Sequence, residues 1–233
     1  MADQTRTSPD RLPPQQNRPG ERDPAPCTCV PLRAETVEAA ARLYTKVFVR
    51  DEPTTRWHRI IEENFLPFAR TYVQFCENEG LSFLAREEKT GAVMGFIFCH
   101  DLTMDLESLG PEMQRYLSQF NATIQLMTEL EEKYLDCVDL KPETILHVYQ
   151  LGIGRQFRHR SIATVLIHHV IAFARERGFK KIVADCTGPP SSHSFGQCGF
   201  TRAGSIPYSS FRIGGTAFFD GLEGEICLMV KDL

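Results

Sequence analysis

The sequence has no apolar run near the ~20 residues that a membrane-spanning helix requires, so no span is expected. Its opening Met1-Ala2-Asp3-Gln4 lacks the apolar centre of a secretion signal, which points to a cytoplasmic protein. No basic block is interleaved with aromatics and the net charge is −4, so nothing favours a nucleic-acid partner. Metal-binding patterns are missing as well. Cys27-Thr28-Cys29 leaves a single residue between its thiols and has no second pair, and His168-His169, adjacent on a helix, point apart. Without a secretion signal the eight cysteines read as free thiols rather than a disulfide framework. No internal repeat is visible.

What is present is 233 residues, 42% hydrophobic and 24% charged, enough for one sizeable core. Residues 1–26 are rich in Pro, Gln, Arg and Asp with almost no apolar content, and such a stretch cannot offset its ordering entropy. A disordered tail over 1–29 and one domain over 30–233 are therefore expected. After a short strand at 30–33, Val37, Ala40, Ala41, Tyr44, Val47 and Phe48 fall on one helical face. Asp51-Glu52-Pro53 breaks that helix, and a second is predicted over 56–77. Residues 81–86 and 93–99 flank Lys89-Thr90-Gly91 as a hairpin. A long helix is predicted over 111–136, with Met113, Phe120, Met127 and Tyr134 on its apolar face. Strands near 201–213 and 224–231 follow. These elements describe an α+β fold, a single domain whose mixed, mostly antiparallel twisted sheet is flanked by helices.

The densest signal lies between residues 145 and 200. A β-rich run over 145–151 leads into Arg155-Gln156-Phe157-Arg158-His159-Arg160-Ser161. From Ile162 the apolar residues recur at helical spacing until Gly178, and 181–186 reads as a second strand. A βαβ unit with a basic, backbone-exposing turn before its helix suits an anionic group. Unpaired N–H groups and the helix dipole both point there.

This order, ending at Gly199-Phe200, resembles the cofactor-binding half of the GNAT acetyltransferase superfamily, whose turn reads Arg/Gln-x-x-Gly-x-Gly/Ala. Arg158, Ser161 and Ala163 stand at the matching positions, and Ser161 departs by carrying a Cβ where Gly is usual. The resemblance implies acetyl-CoA as co-substrate and no metal. The cofactor-binding residues it implies are Leu151, Gly152, Ile153, Arg158, His159, Arg160, Ser161, Ile162, Ala163 and Thr164. Backbone N–H groups of Leu151, Gly152 and Ile153 would face the thioester carbonyl, where charge develops in the transition state. Gly152 and Gly154 would ease a strand bulge there.

Other segments narrow the likeness. Val47-Phe48-Val49-Arg50-Asp51-Glu52-Pro53 is similar to the Phe-x-x-Asp-Glu-Pro segment of the invertebrate arylalkylamine N-acetyltransferases. Residues 91–96, 126–134 and Ile206-Pro207-Tyr208-Ser209-Ser210-Phe211 extend the likeness to nearly the whole of 30–233. It implies direct transfer of an acetyl group to the primary amine of a small arylalkylamine within a ternary complex, by a monomer. Two other readings stay open. One is a different amine acceptor, such as a polyamine, an amino acid or a protein N-terminus. The other is a catalytically weak CoA-binding module, which His159, Ser161 and the Pro189-Pro190 loop would suit.

The chemistry asks for a base. An alkylamine with a pKa of about 10.4 is neutral in only roughly one molecule per thousand near pH 7.4, a cost of about 4 kcal/mol. In the family that is resembled, the Glu of Asp-Glu-Pro acts as that base through water, and here it is Glu52. Asp51, Pro53 and Tyr208 are the substrate-binding candidates. Two hydroxyl residues four apart serve the departing thiolate in that family, and they fall on Thr187 and Ser191. Phe195 occupies the position where many GNAT enzymes carry a Tyr. Each candidate has a plainer reading. Asp51-Glu52 and Ser191 or Ser192 suit helix caps, and His147 suits a satisfied core residue; Trp57, Phe65, Phe68, Tyr72 and Phe75 on the second helix could wall an arylalkyl pocket, but their helical spacing suits core packing first.

Overall fold

Near-continuous apolar runs over Val93–Asp101 and Ile145–Ile153, buried on both sides, build two long central strands, and the helices cover both of their faces. The computed structural model describes residues 27–135 and 141–233. The tail expected over 1–26 and the helix end expected at 136 lie outside them. In chain order the elements are β1 (Cys27–Pro31), α1 (Val37–Asp51), α2 (Pro53–Trp57), α3 (Glu62–Glu79), β2 (Phe83–Glu87) and β3 (Val93–Asp101). Then come α4 (Pro111–Leu117), α5 (Asn121–Tyr134), β4 (Ile145–Ile153), α6 (Ile162–Arg177), β5 (Lys181–Cys186) and α7 (Pro189–Gln197). The chain closes with β6 (Thr201–Pro207), β7 (Arg212–Ile213), β8 (Thr216–Ala217) and β9 (Glu225–Asp232). Seven strands form one sheet in the order β1-β2-β3-β4-β5-β9-β6, while β7 and β8 form a separate hairpin. Among the described residues only β4 and β5 run parallel, joined by the α6 crossover, so the mixed, mostly antiparallel sheet is as expected.

Three local expectations are corrected. Residues 27–29, expected in the tail, are part of β1 and pair with Glu87, Arg86 and Ala85. The long helix over 111–136 is broken by a 3₁₀ turn at Ser118–Phe120, where the Ser118 hydroxyl donates to the Arg115 carbonyl at 2.7 Å. Apolar spacing continues across that turn, so periodicity alone does not register it. Pro53 starts α2 as well as ending α1, since a first-turn residue has no intrahelical N–H bond to lose.

The two sheet faces have different partners. Phe96 and Phe98 pack on Tyr44 of α1 with ring centroids 5.5 and 5.6 Å away, in the cluster that holds α3. Ile97 and Cys99 face the other way, into the cluster with Leu166 and Val170 of α6. β4 pairs with β3 along its length but with β5 only over Ile145–Val148, and beyond that the two parallel strands part. Tyr149 is an extra residue in β4, opposite the Phe98/Cys99 step of β3. The bulge therefore sits at Tyr149 and not at the glycines. Gly152 serves packing instead: a Cβ there would lie 2.3 Å from Cζ of Phe96.

Candidate active site

Where β4 and β5 part, a cavity of about 820 Å³ opens between the sheet and the helices. All ten residues expected at the cofactor line it, from Leu151 to Ile153 and from Arg158 to Thr164. The α6 hydrogen-bond ladder starts at Val165, whose N–H donates to the Ser161 carbonyl at 3.0 Å. The N–H groups of Ile162, Ala163 and Thr164 thus precede the ladder at the positive end of a 16-residue helix. Ser161 has φ +55° and His159 φ +60°, left-handed conformations that glycine adopts most easily. The turn keeps its shape despite the Cβ atoms, at a backbone cost.

Arg158 is fixed from two sides. Its Nε donates to the Ile153 carbonyl at 3.2 Å, and its Nη2 lies 2.5 Å from Asp51 Oδ2. Arg155 approaches the same carboxylate at 3.5 Å. Asp51, expected at the substrate, therefore has its carboxylate turned to the cofactor turn. Arg160 stacks over Phe157 at 5.9 Å, which orders a second cation beside the α6 N-terminus.

The opposite end of the cavity is aromatic and apolar. Tyr44 and Phe48 of α1, Phe65 and Phe68 of α3, and Phe120, Ile124 and Met127 beside or on α5 line it. Phe65 and Phe68, read as core, serve both purposes; Tyr72 and Phe75 are core alone. Thr123 of α5 is anchored to His58 by a 2.9 Å hydrogen bond. The sequence marked these α1 and α5 residues only as helix faces, because the cavity is made by the break at 118–120 and the parting of β4 from β5.

Glu52 and Pro53 also line the cavity. Glu52 is the N-cap of α2: Oε1 accepts from the Thr54 N–H at 3.0 Å, and Oε2 from the Thr55 N–H at 2.6 Å. The Thr54 hydroxyl lies 3.1 and 3.0 Å from the two oxygens. Three donor protons therefore meet a carboxylate with about four acceptor positions. The cap fixes the side chain and leaves room for one more donor.

Thr187, in the β5–α7 turn, and Ser191, in the first turn of α7, line the cavity. Ser191 is not the cap expected: Gly188 is the N-cap of α7 without a side-chain bond, and the Ser191 hydroxyl donates back to the Gly188 carbonyl at 2.9 Å, whereas no such bond is formed by the Thr187 hydroxyl among the described residues. Pro189-Pro190 opens α7 in its first turn, where both rings fit. Tyr208 is not a cavity wall. It is 1% exposed and lies behind the loop, its hydroxyl donating to the Thr187 carbonyl at 2.7 Å. Burial, and then the charge of Glu52, push the Tyr208 phenol up, so it stays a donor.

His147 is not the satisfied core residue expected. It sits between two carboxylates, Nε2 3.0 Å from Asp185 and Nδ1 3.7 Å from Glu131. An aspartate inside the apolar β5 strand was the available signal for this cluster.

Residues 44–200 match the model of the Acetyltransferase (GNAT) family. Solved structures of three proteins are similar over 89% of this chain. The C-terminal condensation domain of Ebony, in complex with beta-alanyl-dopamine, matches at 17% identity and a TM-score of 0.75, with 99% of that chain covered. Arylalkylamine N-acetyltransferase 2 from Aedes aegypti matches at 19% and 0.74, also over 99% of its chain. The Drosophila melanogaster polyamine N-acetyltransferase, which forms N-acetylagmatine, matches at 18% and 0.69 over all of its chain. At these identities the likeness carries the fold.

Proposed function

This chain belongs to the acetyltransferase (GNAT) family, and we propose that it moves an acetyl group from acetyl-CoA to the primary amine of a small arylalkylamine, directly within a ternary complex. One observation carries the reading. A single cavity joins the N-terminal turn of α6 to an aromatic chamber, with the Glu52 carboxylate on its wall.

Acetyl-CoA supplies the activated acyl group. Arg158, Arg160 and the N–H groups of Ile162, Ala163 and Thr164 are the residues that would hold its phosphates, since cations and a helix N-terminus both favour an anion. N–H groups on the parted edge of β4, at Leu151, Gly152 and Ile153, meet the charge that develops on the thioester oxygen. Tyr44, Phe48, Phe65 and Phe68 offer an aryl group edge and face contacts. Glu52, held by its cap, takes the ammonium proton directly or through one water, offsetting part of the roughly 4 kcal/mol needed to present a neutral amine. Thr187 donates a hydrogen bond to the departing thiolate.

The test is thiol release from acetyl-CoA with tryptamine, tyramine, dopamine, serotonin and spermidine. Arylalkylamine turnover well above that of spermidine is expected. Glu52→Gln, which removes the base but keeps an oxygen for the cap, is expected to lose at least tenfold at neutral pH and to recover in part at high pH. Tight CoA binding without turnover of any amine would instead favour a binding module.

A further inference from the structure

Two carboxylates that share one buried imidazole carry more negative charge than the imidazole can balance. Among the described residues, one set of His, Cys, Asp or Glu side chains brings metal-ligand atoms together: Glu131 of α5, His147 of β4 and Asp185 of β5. One ligand atom from each lies within 4.8 Å of the other two. His147 is 3% exposed, the Asp185 side chain is fully buried, and Glu131 keeps 26% of its side chain exposed. With both acids ionised the set is negative whether or not the imidazole is protonated. Buried charge persists where it is paired or bound to a metal.

We propose that Glu131, His147 and Asp185 bind one divalent transition-metal ion, through Nε2 of the imidazole and one oxygen of each carboxylate. Nε2 lies 3.0 Å from Asp185 Oδ2, yet the two are not aligned as donor and acceptor. Nε2 and both Asp185 oxygens are therefore buried without a hydrogen-bond partner, which is capacity that an ion would use. Zinc bonds to nitrogen and oxygen are about 2.0–2.2 Å, so tetrahedral ligand atoms stand roughly 3.3 Å apart, close to the separation of this pair. Glu131 has its nearer contact at 3.7 Å, to Nδ1, and as the partly exposed member it closes the remaining gap by turning its side chain.

The ligand types select the ion. One imidazole and two carboxylates leave a fourth position for water, as suits zinc and its first-row neighbours. Calcium asks for about six to eight oxygens and magnesium for a near-octahedral oxygen shell, and this set supplies neither. His100 and Tyr149 flank the site, with ring centroids 5.3 and 5.4 Å from His147. The ligands come from three separate elements, so no spacing in the sequence reveals them. The ion would pin α5, whose Thr123, Ile124 and Met127 line the cavity, to the two parallel strands. Its role is structural, because the Asp185 side chain is closed off from the cavity. The inference stands or falls independently of the acetyltransfer reading.

The experiment strips the full chain with a chelator and titrates it with zinc, following heat of binding and thermal midpoint. One equivalent is expected, with a midpoint roughly 5–10 °C higher when free zinc is 100 times its Kd. Glu131→Gln and Asp185→Asn should each weaken zinc at least tenfold, and magnesium alone should give no rise. Glu131→Gln, at a partly exposed position, covers the case in which the buried variant fails to fold. Cobalt in place of zinc reports the ligands: visible d–d bands without a near-ultraviolet thiolate band are expected, which separates this site from the eight cysteines. A thiolate band, or zinc binding that neither variant weakens, would overturn the site. So would a stripped chain that takes up no zinc, its buried polar atoms then being served by internal water. A rise with magnesium alone would overturn the choice of a transition ion.

Discussion

Asp51 and Arg158 are 107 positions apart and meet with carboxylate and guanidinium 2.5 Å from one another. The contact ties the C-terminal end of α1, next to Glu52, to the turn that precedes α6. One ion pair thus links the acceptor side of the cavity to its cofactor side. The side chains are 20% and 35% exposed, so the pair is partly shielded from solvent and better placed than a surface bridge.

Asp51→Asn is therefore expected to act on the cofactor rather than on the amine. A charge-assisted bond of this kind contributes about 1.5–3 kcal/mol, so the KM for acetyl-CoA should rise by roughly tenfold or more while the KM for the amine changes little. Arg158→Ala should do the same, and the double variant should be barely worse than Arg158→Ala, since both remove one interaction. Additive losses would show that Asp51 acts elsewhere.

Ser161→Gly should stabilise the protein. A side chain at φ +55° costs about 1–2 kcal/mol, and the extra freedom that glycine loses on folding returns about 0.5–1 of it. The net gain of about 1 kcal/mol corresponds to a thermal midpoint ~2–4 °C higher at this chain length. Acetyl-CoA binding should be unchanged or tighter, because the turn's N–H groups are kept. A lower midpoint would mean that the Ser161 side chain makes a contribution that outweighs its strain.

These positions show what the sequence could and could not convey. The βαβ unit was legible because its signals are local: a β-rich run, basic turn, helical spacing and a Gly stop. The cofactor residues lie within 14 consecutive positions, and the fold gathers them without rearrangement. The aromatic chamber was legible only in part: Phe65 and Phe68 stood among the residues that could wall an aryl pocket, but core packing was the favoured reading. Phe65 and Phe120 come from helices whose spacing reads as core whether or not a cavity lies beneath. His147 was misread because its partners, Glu131 and Asp185, come from two other elements, and no local pattern shows that the imidazole is bracketed by carboxylates. Tyr208 was placed in the pocket when it stands one layer behind it.

Tyr208→Phe tests that second layer. The change removes the 2.7 Å hydrogen bond to the Thr187 carbonyl and leaves the ring in its buried packing against Phe219. A loss of about 1 kcal/mol in unfolding free energy is expected. If Thr187 serves the thiolate, its loosened backbone should also lower kcat severalfold with substrate KM values retained. A stability loss without any kcat change would separate Tyr208, and the Thr187 loop with it, from the chemistry.

His100 is expected to weaken the fold in acid. It is 3% exposed, its Nδ1 donates to the Asp101 carbonyl at 3.0 Å, and its Nε2 is buried without a partner. Burial and the nearby His147 charge lower it to about 4 from an ordinary 6.5. A depressed histidine contributes stability above the unfolded value and loses it as pH falls toward the folded one, because the unfolded chain binds the proton first. Between pH 6.5 and 4, wild type should lose about 1.4 kcal/mol per pH unit relative to His100→Gln, whatever their stabilities at neutral pH. Denaturant unfolding at pH 4.5, 5.5, 6.5 and 7.5 measures this. The two curves should run parallel above 6.5, and below it the wild-type curve should fall more steeply than the variant's. Parallel curves across the whole range would mean that His100 takes up its proton in the folded state as readily as in the unfolded chain.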